Sequence, residues 1–281
     1  MKLSIVLAGF FKLDGGAMFG IVPKVMWNKM NPADEDNMCS WAMRSLLIET
    51  DTRKILIDTG IGQKQGEKFR SHFHPYGKDV LESLSDLGIK SSDITDVFLT
   101  HLHFDHCGDA VKIDEQGNYV PTFENAQYWI NKKHWEWALE SNPREKASFL
   151  PENYMPLQEA GVLNLIDFRG ENSTNWLEGI RLIGCNGHTR GLTMLDIPYQ
   201  DTRMIYLTDL IPSVHHVPLP YIMAYDLWPW DTLEEKTAVL EQAVAERHVL
   251  FFQHDPVNAV ARVRKNEKGR IVAFDISSEL Y

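Results

Sequence analysis

Apolar residues along this chain recur with two periods, and the alternation between them predicts its elements. Leu3–Gly9, Ser45–Glu49 and Lys54–Asp58 read as strands, rich in Ile, Leu and Val. Lys78–Leu87 has helical spacing, with Val80, Leu81, Leu84 and Leu87 on one face and Gly88 as its stop. Ile94–Thr100 is a strand after the turn-prone pair Ser91-Ser92, Gln127–Ile130 another strand, and Lys132–Leu139 a helix. Residues 141–160, with Pro143, Pro151 and Pro156, read as irregular, a lid or a helical insert. Ile180–Gly184, Leu192–Ile197 and Met204–Leu207 are short strands, and Thr232–Ala245 is an amphipathic helix. His248–Gln253 and Ile271–Phe274 close the chain as strands. The pattern is α/β, in two β-rich halves with no linker-like stretch between them, so 1–281 is expected to be a single domain.

The first segment bears on location. Met1-Lys2 followed by Leu3–Phe11 has the look of a short signal peptide, but Lys12 and Asp14 cut the apolar run and no small-x-small site follows. A first strand accounts for it better, and no run is long enough to span a bilayer. Cys39, Cys107 and Cys185 are odd in number and form no CxxC, which argues against a disulfide framework and for a reducing, cytoplasmic setting. Cys107 sits beside a histidine cluster, where a small buried side chain is the favoured reading over a ligand. The net charge of −11, with no Lys/Arg run, argues against nucleic acid as a partner. With 44% hydrophobic and 24% charged residues, the chain can bury a core without staples, so any metal is expected to be catalytic rather than a condition for folding.

The central chemical signal is Thr100-His101-Leu102-His103-Phe104-Asp105-His106. Three imidazoles and a carboxylate within six positions after a strand suit zinc and neighbouring first-row metals. Alternate residues of an extended segment point the same way, so His101 and His103 can grip one ion, while Asp105 and His106, past the turn, can face a second. Burying four such groups with no metal would be costly. Further ligands are expected singly after later strands. Gly187-His188-Thr189 has glycines around it (Gly184, Gly187, Gly191) that allow close backbone approach, Thr208-Asp209 offers a carboxylate able to bridge two ions, and Gln253-His254-Asp255 offers a late imidazole.

HxHxDH, then Gly-His, then a lone Asp, then a late His resembles the metallo-β-lactamase superfamily, and Asp58-Thr59-Gly60 resembles that family's early Asp-x-Gly signature. The resemblance implies a four-layer αββα sandwich. It also implies two divalent metal ions, with Zn²⁺ the default: His101, His103 and His188 on one, Asp105, His106 and His254 on the other, and Asp209 between them. Asp58 would orient a ligand from behind, or serve simply as a turn former. A narrower likeness, to YtnP-type quorum-quenching N-acyl-homoserine lactonases, is carried by Gly15–Lys24, Thr208–Pro212, Met223–Asp226 and His254-Asp255. It implies lactone ring opening by a metal-bridging hydroxide, with Asp105 and Asp209 in catalytic roles and Asp105 passing a proton to the leaving oxygen. The same branch resembles methyl parathion hydrolase, so a phosphotriesterase or arylesterase is the second enzymatic reading, and a metal-binding scaffold or sensor the non-enzymatic one.

One departure stands out. Better-known lactonases of this type carry a Tyr three residues after the bridging Asp, where this chain has Pro212. Met18, Phe19, Phe104, His215 and Tyr225 are candidate substrate contacts; the role of that Tyr is either absent or taken by Tyr225, His215 or His216. The expected partner is a small ester or lactone, with no nucleic acid and no membrane. His215-His216 is read as solvent-facing in preference to a pocket polar group or an accessory metal site, and Trp228-Pro229-Trp230 as core in preference to a homodimer face.

Overall fold

The computed structural model describes residues 1–281 and divides into two compact units: residues 1–10 with 43–169, and residues 11–42 with 170–281. Both mix strands and helices, as the α/β reading expects. The first unit carries a sheet in the order β1 (Lys2–Asp14), β2 (Met38–Glu49), β3 (Lys54–Ile57), β4 (Asp96–Phe98), β7 (Gln127–Asn131) and β8 (Leu163–Ile166); the distal end of β1 and the start of β2 are grouped with the second unit. A small antiparallel hairpin, β5 (Val111–Ile113) and β6 (Tyr119–Pro121), stands apart.

Strands β3, β4, β7 and β8 run parallel, in the register Ile57↔Phe98 and Phe98↔Trp129. Ile55, Leu56, Ile57, Val97 and Phe98 are all fully buried, the continuous apolar run of a strand covered on both faces. β4 ends at Phe98 and not at Thr100 because the Thr100 amide leaves the ladder for the Asp58 carboxylate. The Val80–Asp86 helix is capped by Asp79 and Glu82 in a reciprocal capping box. Val80 and Leu84 are buried, whereas Leu87 lies past the last turn and is 45% exposed.

The second unit holds a seven-stranded sheet in the order β15 (Ile271–Ser277), β14 (Val260–Lys265), β13 (Val249–Phe251), β12 (Thr202–Tyr206), β11 (Leu192–Tyr199), β10 (Arg181–Cys185) and β9 (Ser173–Asn175). Every pairing is antiparallel except β12 with β13, where Met204, Ile205 and Tyr206 face Val249, Leu250 and Phe251. A parallel pair needs a crossover, and the Pro229–Glu246 helix lies in it, starting with Pro at a position whose N–H no helix would use. It buries Thr232, Lys236, Leu240 and Ala243 along one stripe. Leu240 and Ala243 pack with Leu192, Ile205, Leu250 and Phe252 in the core of this unit; a fully buried Leu contributes about 1.5–3 kcal/mol over an exposed one. Lys236 joins that stripe because its ammonium donates to the carbonyls of Pro218 and Tyr221 at 2.9 Å each.

Two expectations are corrected. His216 is buried, not solvent-facing: its ring stacks on Phe19 at 4.8 Å, and its nitrogens meet Ser213 Oγ and the Met18 carbonyl. Trp230 is 68% exposed rather than core, held only at its indole N–H by Glu234. Residues 141–160 take the helical-insert form of the expectation, as 3₁₀ turns and a Met155–Glu159 helix, and Glu145 within them is buried and engaged.

Candidate metal centre

In the first unit, Asp58 follows β3 and the His101–His106 loop follows β4, two adjacent parallel strands that end side by side. The carboxyl ends of parallel strands are where such sheets place ligands. Asp58 takes a left-handed φ of 57°, so it is the turn former of one reading and the orienting carboxylate of the other. Its Oδ1 accepts the Thr100 amide at 2.8 Å, and its Oδ2 accepts Thr100 Oγ–H at 2.8 Å and His106 Nδ1–H at 3.0 Å. Gly60 follows with φ 73°, where a Cβ would fall 2.7 Å from Ala8 Cβ.

The four candidate ligands of this loop are buried and close-set, the His101 ring lying 4.5 Å from His103 and 3.8 Å from His106. Each imidazole has one nitrogen bound to an acceptor. His106 Nδ1 is held by Asp58. His101 Nδ1 lies 3.1 Å from Thr100 Oγ, whose proton is already given to Asp58. His103 Nε2 donates to Glu145 Oε1 at 3.0 Å. A carboxylate only accepts, so the proton sits on the outer nitrogen and the inner one keeps its lone pair. That arrangement fixes the tautomer of a metal-ligating histidine. Cys107 donates Sγ–H to the Leu102 carbonyl, and burial pushes its thiol well up, so it is the small buried side chain expected.

In the second unit, Asp209 follows β12 and His254 follows β13, again adjacent parallel strands with matched ends. Thr208, just before Asp209, has a φ of 46°. A β-branched residue there costs about 1–3 kcal/mol, strain of the kind kept at functional positions. His188 is seated against the crossover helix: Glu235 accepts the amides of Asn186 and Gly187 at 2.7 and 3.1 Å. A Cβ on Gly187 would collide with the backbone and hydroxyl of Thr232. His188 Nδ1 donates to Asp226 at 2.8 Å, and His254 Nδ1 donates to the Ala42 carbonyl at 2.7 Å. Burial raises the Asp226 carboxyl, with the His188 hydrogen bond opposing it.

The inner nitrogens of this set converge on Asp209: His188 Nε2 lies 3.3 Å from Oδ2 and His254 Nε2 lies 3.0 Å from Oδ1. With Nδ1 protonated in both rings, each approach sets a nitrogen lone pair against a carboxylate oxygen. Such pairs repel unless a cation or a proton stands between them. The donor set therefore fits a metal: neutral imidazoles and carboxylates, every outer nitrogen secured. All seven candidate ligand residues are buried.

The other candidates are placed as follows. Met18 and Phe19 are fully buried, Phe19 between Trp27 and His216. Phe104 is buried against Phe69 and Phe73. His215 is half-buried, which lowers its pKa, and Tyr225 is 40% exposed. Pro212 contributes its carbonyl, which accepts the His254 amide at 2.9 Å. Sequence reasoning missed Glu145 and Glu235 and matched Asp226 only as part of a signature. An acidic residue on a proline-broken stretch or a helix face carries no mark of what it reaches.

Residues 44–254 match the profile of the Metallo-beta-lactamase superfamily. Solved structures are similar across nearly the whole chain. A probable metal-dependent hydrolase from Staphylococcus aureus is 26% identical with a TM-score of 0.85, covering 98% of this chain and 97% of that one. AidC, a dizinc quorum-quenching lactonase in complex with the product N-hexanoyl-L-homoserine, is 22% identical with a TM-score of 0.78, covering 97% and 93%. The hydrolase AbOPH in the beta lactamase superfamily is 18% identical with a TM-score of 0.76, covering 99% and 94%. No helix of the chain is long and apolar enough to cross a membrane.

Proposed function

The chain belongs to the metallo-beta-lactamase superfamily, and on that premise we propose that it is a metal-dependent hydrolase that opens lactone rings, N-acyl-homoserine lactones first among them. Its two ligand sets would hold two divalent ions, zinc by default: one on His101, His103 and His188, the other on Asp105, His106 and His254, with Asp209 shared. The observation that carries this reading is the meeting of lone pairs at Asp209 with both outer nitrogens already occupied. When bound, such ions supply Lewis acidity and a water that ionises near neutral pH. Asp58, Glu145, Asp226 and the Ala42 carbonyl hold the rings at fixed angles and in one tautomer. Asp105 would pass a proton on to the leaving oxygen. The dizinc lactonase among the fold neighbours supports this substrate class. Tyr225 and His215 are the first residues to probe for the contact that Pro212 cannot make.

Metal-analysed protein assayed on acyl-homoserine lactones, simple esters and a phosphotriester tests the proposal. Two metal equivalents with lactones turned over fastest are expected. A phosphotriester or aryl ester turned over fastest replaces the lactonase reading with the second enzymatic one. Two equivalents with no turnover leave a metal-binding scaffold, and protein that takes up no metal ends the proposal.

A further inference from the structure

We propose that His134 is a positioning residue for the ligand loop, acting through the Leu102 peptide. The inference rests on the metal-site reading above. Beyond β4 the sheet ladder stops, and the loop amides must find other acceptors. Leu99 N–H still donates to the Trp129 carbonyl, Thr100 N–H goes to Asp58, and the amides of His106 and Cys107 go to the His103 carbonyl. Leu102 N–H donates at 2.8 Å to Nε2 of His134, an imidazole standing where a carbonyl would ordinarily be. Leu102 is the residue between His101 and His103, so the orientation of its peptide sets the angle between the two ligand side chains.

A nitrogen that accepts a peptide N–H carries no proton, so the His134 proton is on Nδ1 and the ring is neutral. His134 is fully buried in the Lys132–Leu139 helix that follows β7, the next parallel strand after β4. The helix begins at Asn131, whose side chain accepts the Lys133 amide, so the residue is delivered from a capped first turn. Its ring stands edge-on to His101 at 6.0 Å and 5.7 Å from Phe149, and the Phe149 backbone bridges His103. Three neighbouring parallel strands thus converge on this loop: β3 sends Asp58, β4 carries the loop itself, and β7 sends His134. Asp58 fixes the rings of His101 and His106, and His134 fixes the peptide between His101 and His103.

Two measurements test this. In the wild-type protein with its metal, a through-hydrogen-bond coupling between the Leu102 amide nitrogen and His134 Nε2 is expected, and its absence overturns the proposal. Chelator competition for Zn²⁺ and the visible spectrum of the Co²⁺ form are then compared across wild type, His134→Leu and His134→Gln. His134→Leu is expected to lose about 10–100-fold in metal affinity and to shift the Co²⁺ bands while retaining its circular dichroism, as loss of a ligand's outer partner does. His134→Gln, which returns an acceptor at similar reach, is expected to recover part of both. Wild-type affinity and an unshifted spectrum in His134→Leu sink the positioning role and leave the metal site standing, whereas a wild-type chain that takes up no metal sinks both. Should His134→Leu fail to fold, the coupling and the His134→Gln spectrum decide the matter.

Discussion

In the first unit four candidate ligands lie within six positions of one loop, and their supports are side chains: Asp58, Thr100 and Glu145. In the second unit three ligands are spread from His188 to His254, and their supports are one carboxylate, Asp226, and one backbone carbonyl, that of Ala42. The first set follows β4, beside the end of its parallel neighbour β3; in the second, Asp209 and His254 follow the parallel pair β12 and β13, while His188 follows the antiparallel strand β10. Sheet geometry supplies the meeting point in each case. What differs is how much is left to local sequence. A contiguous loop positions its ligands by its own turn, whereas separated ligands depend on each strand end being held in place.

The largest expected effect strikes the second set at its centre. Asp209 is the group on which both His188 and His254 converge. Asp209→Ala should abolish measurable turnover of whichever substrate works, a loss of about 10³-fold or more, and should lower the metal bound per chain. Parallel rate and metal analyses check this, and a variant with full metal and full rate would refute the bridging role. An equal loss from removing Asp105 alone would mean that the two sets are equally fragile.

Next come the supports. Asp58→Asn removes the charge that serves three hydrogen bonds at once, and a drop of about 10–100-fold in metal affinity is expected. Unfolding titrations should also show a loss of about 1–3 kcal/mol, since a buried acceptor site is left poorly matched. Asp226→Asn touches one ring, His188, and should cost about 10-fold in affinity with less change in the unfolding midpoint. If the order were reversed, the compact loop would be the more self-sufficient set.

The same contrast explains what could be read in the sequence. The His101–His106 cluster is legible because its members share a turn, β3 and β7 because they carry unbroken apolar runs, and the 229–246 helix because its apolar period is clean. The separated candidates His188, Asp209 and His254 are each weak signals alone and gain meaning only together, in order and always after a strand, because a lone His after a strand is uninformative until a partner strand is known. Glu145 stayed hidden in a stretch that proline content marked as irregular, although irregular backbone can hold a buried carboxylate at a fixed point. His216 was misread because adjacent polar residues suggest solvent, while its two hydrogen-bond partners, Ser213 and the Met18 carbonyl, make burial affordable. The short strands β5, β6, β8 and β9 have three or four residues each, too few for a period to show.

Backbone room distinguishes the sets next. Gly187→Ala would drive a methyl group into Thr232 at the first turn of the crossover helix. Overpacking of this kind costs about 1–3 kcal/mol, and it would push His188 away from Asp226. The expected result is a lowered unfolding midpoint with a several-fold loss of metal affinity, while Gly66→Ala, where a Cβ meets nothing within 4 Å, leaves both unchanged. Equal tolerance at the two glycines would show that His188 does not need its close seat.

The smallest expected effect separates the units by pH. Burial pushes His216 in the second unit down to about 3, with the Met18 carbonyl opposing it and the nearby Lys236 and His215 adding to the depression. The unfolded chain titrates this group near the ordinary value of 6.5. Between those values the unfolded state binds more protons, so this group's contribution to stability rises with pH, is complete above about 6.5, and is lost as pH falls. From pH 7.5 to 6.0 that loss is about 0.8 kcal/mol, with a slope nearing about 1.4 kcal/mol per pH unit further down. Asp109 in the first unit has the opposite sign: burial raises it to about 7, so the folded state holds the extra proton and stability falls as pH rises toward that value. The wild-type curve sums the two, and His216→Gln isolates one of them. Urea midpoints of wild type and His216→Gln, converted to free energies at each pH, should draw together by about 0.8 kcal/mol from pH 7.5 to 6.0. A gap that stays constant would mean that His216 titrates in the folded chain as it does in water, and that its burial against Phe19 is not maintained in solution.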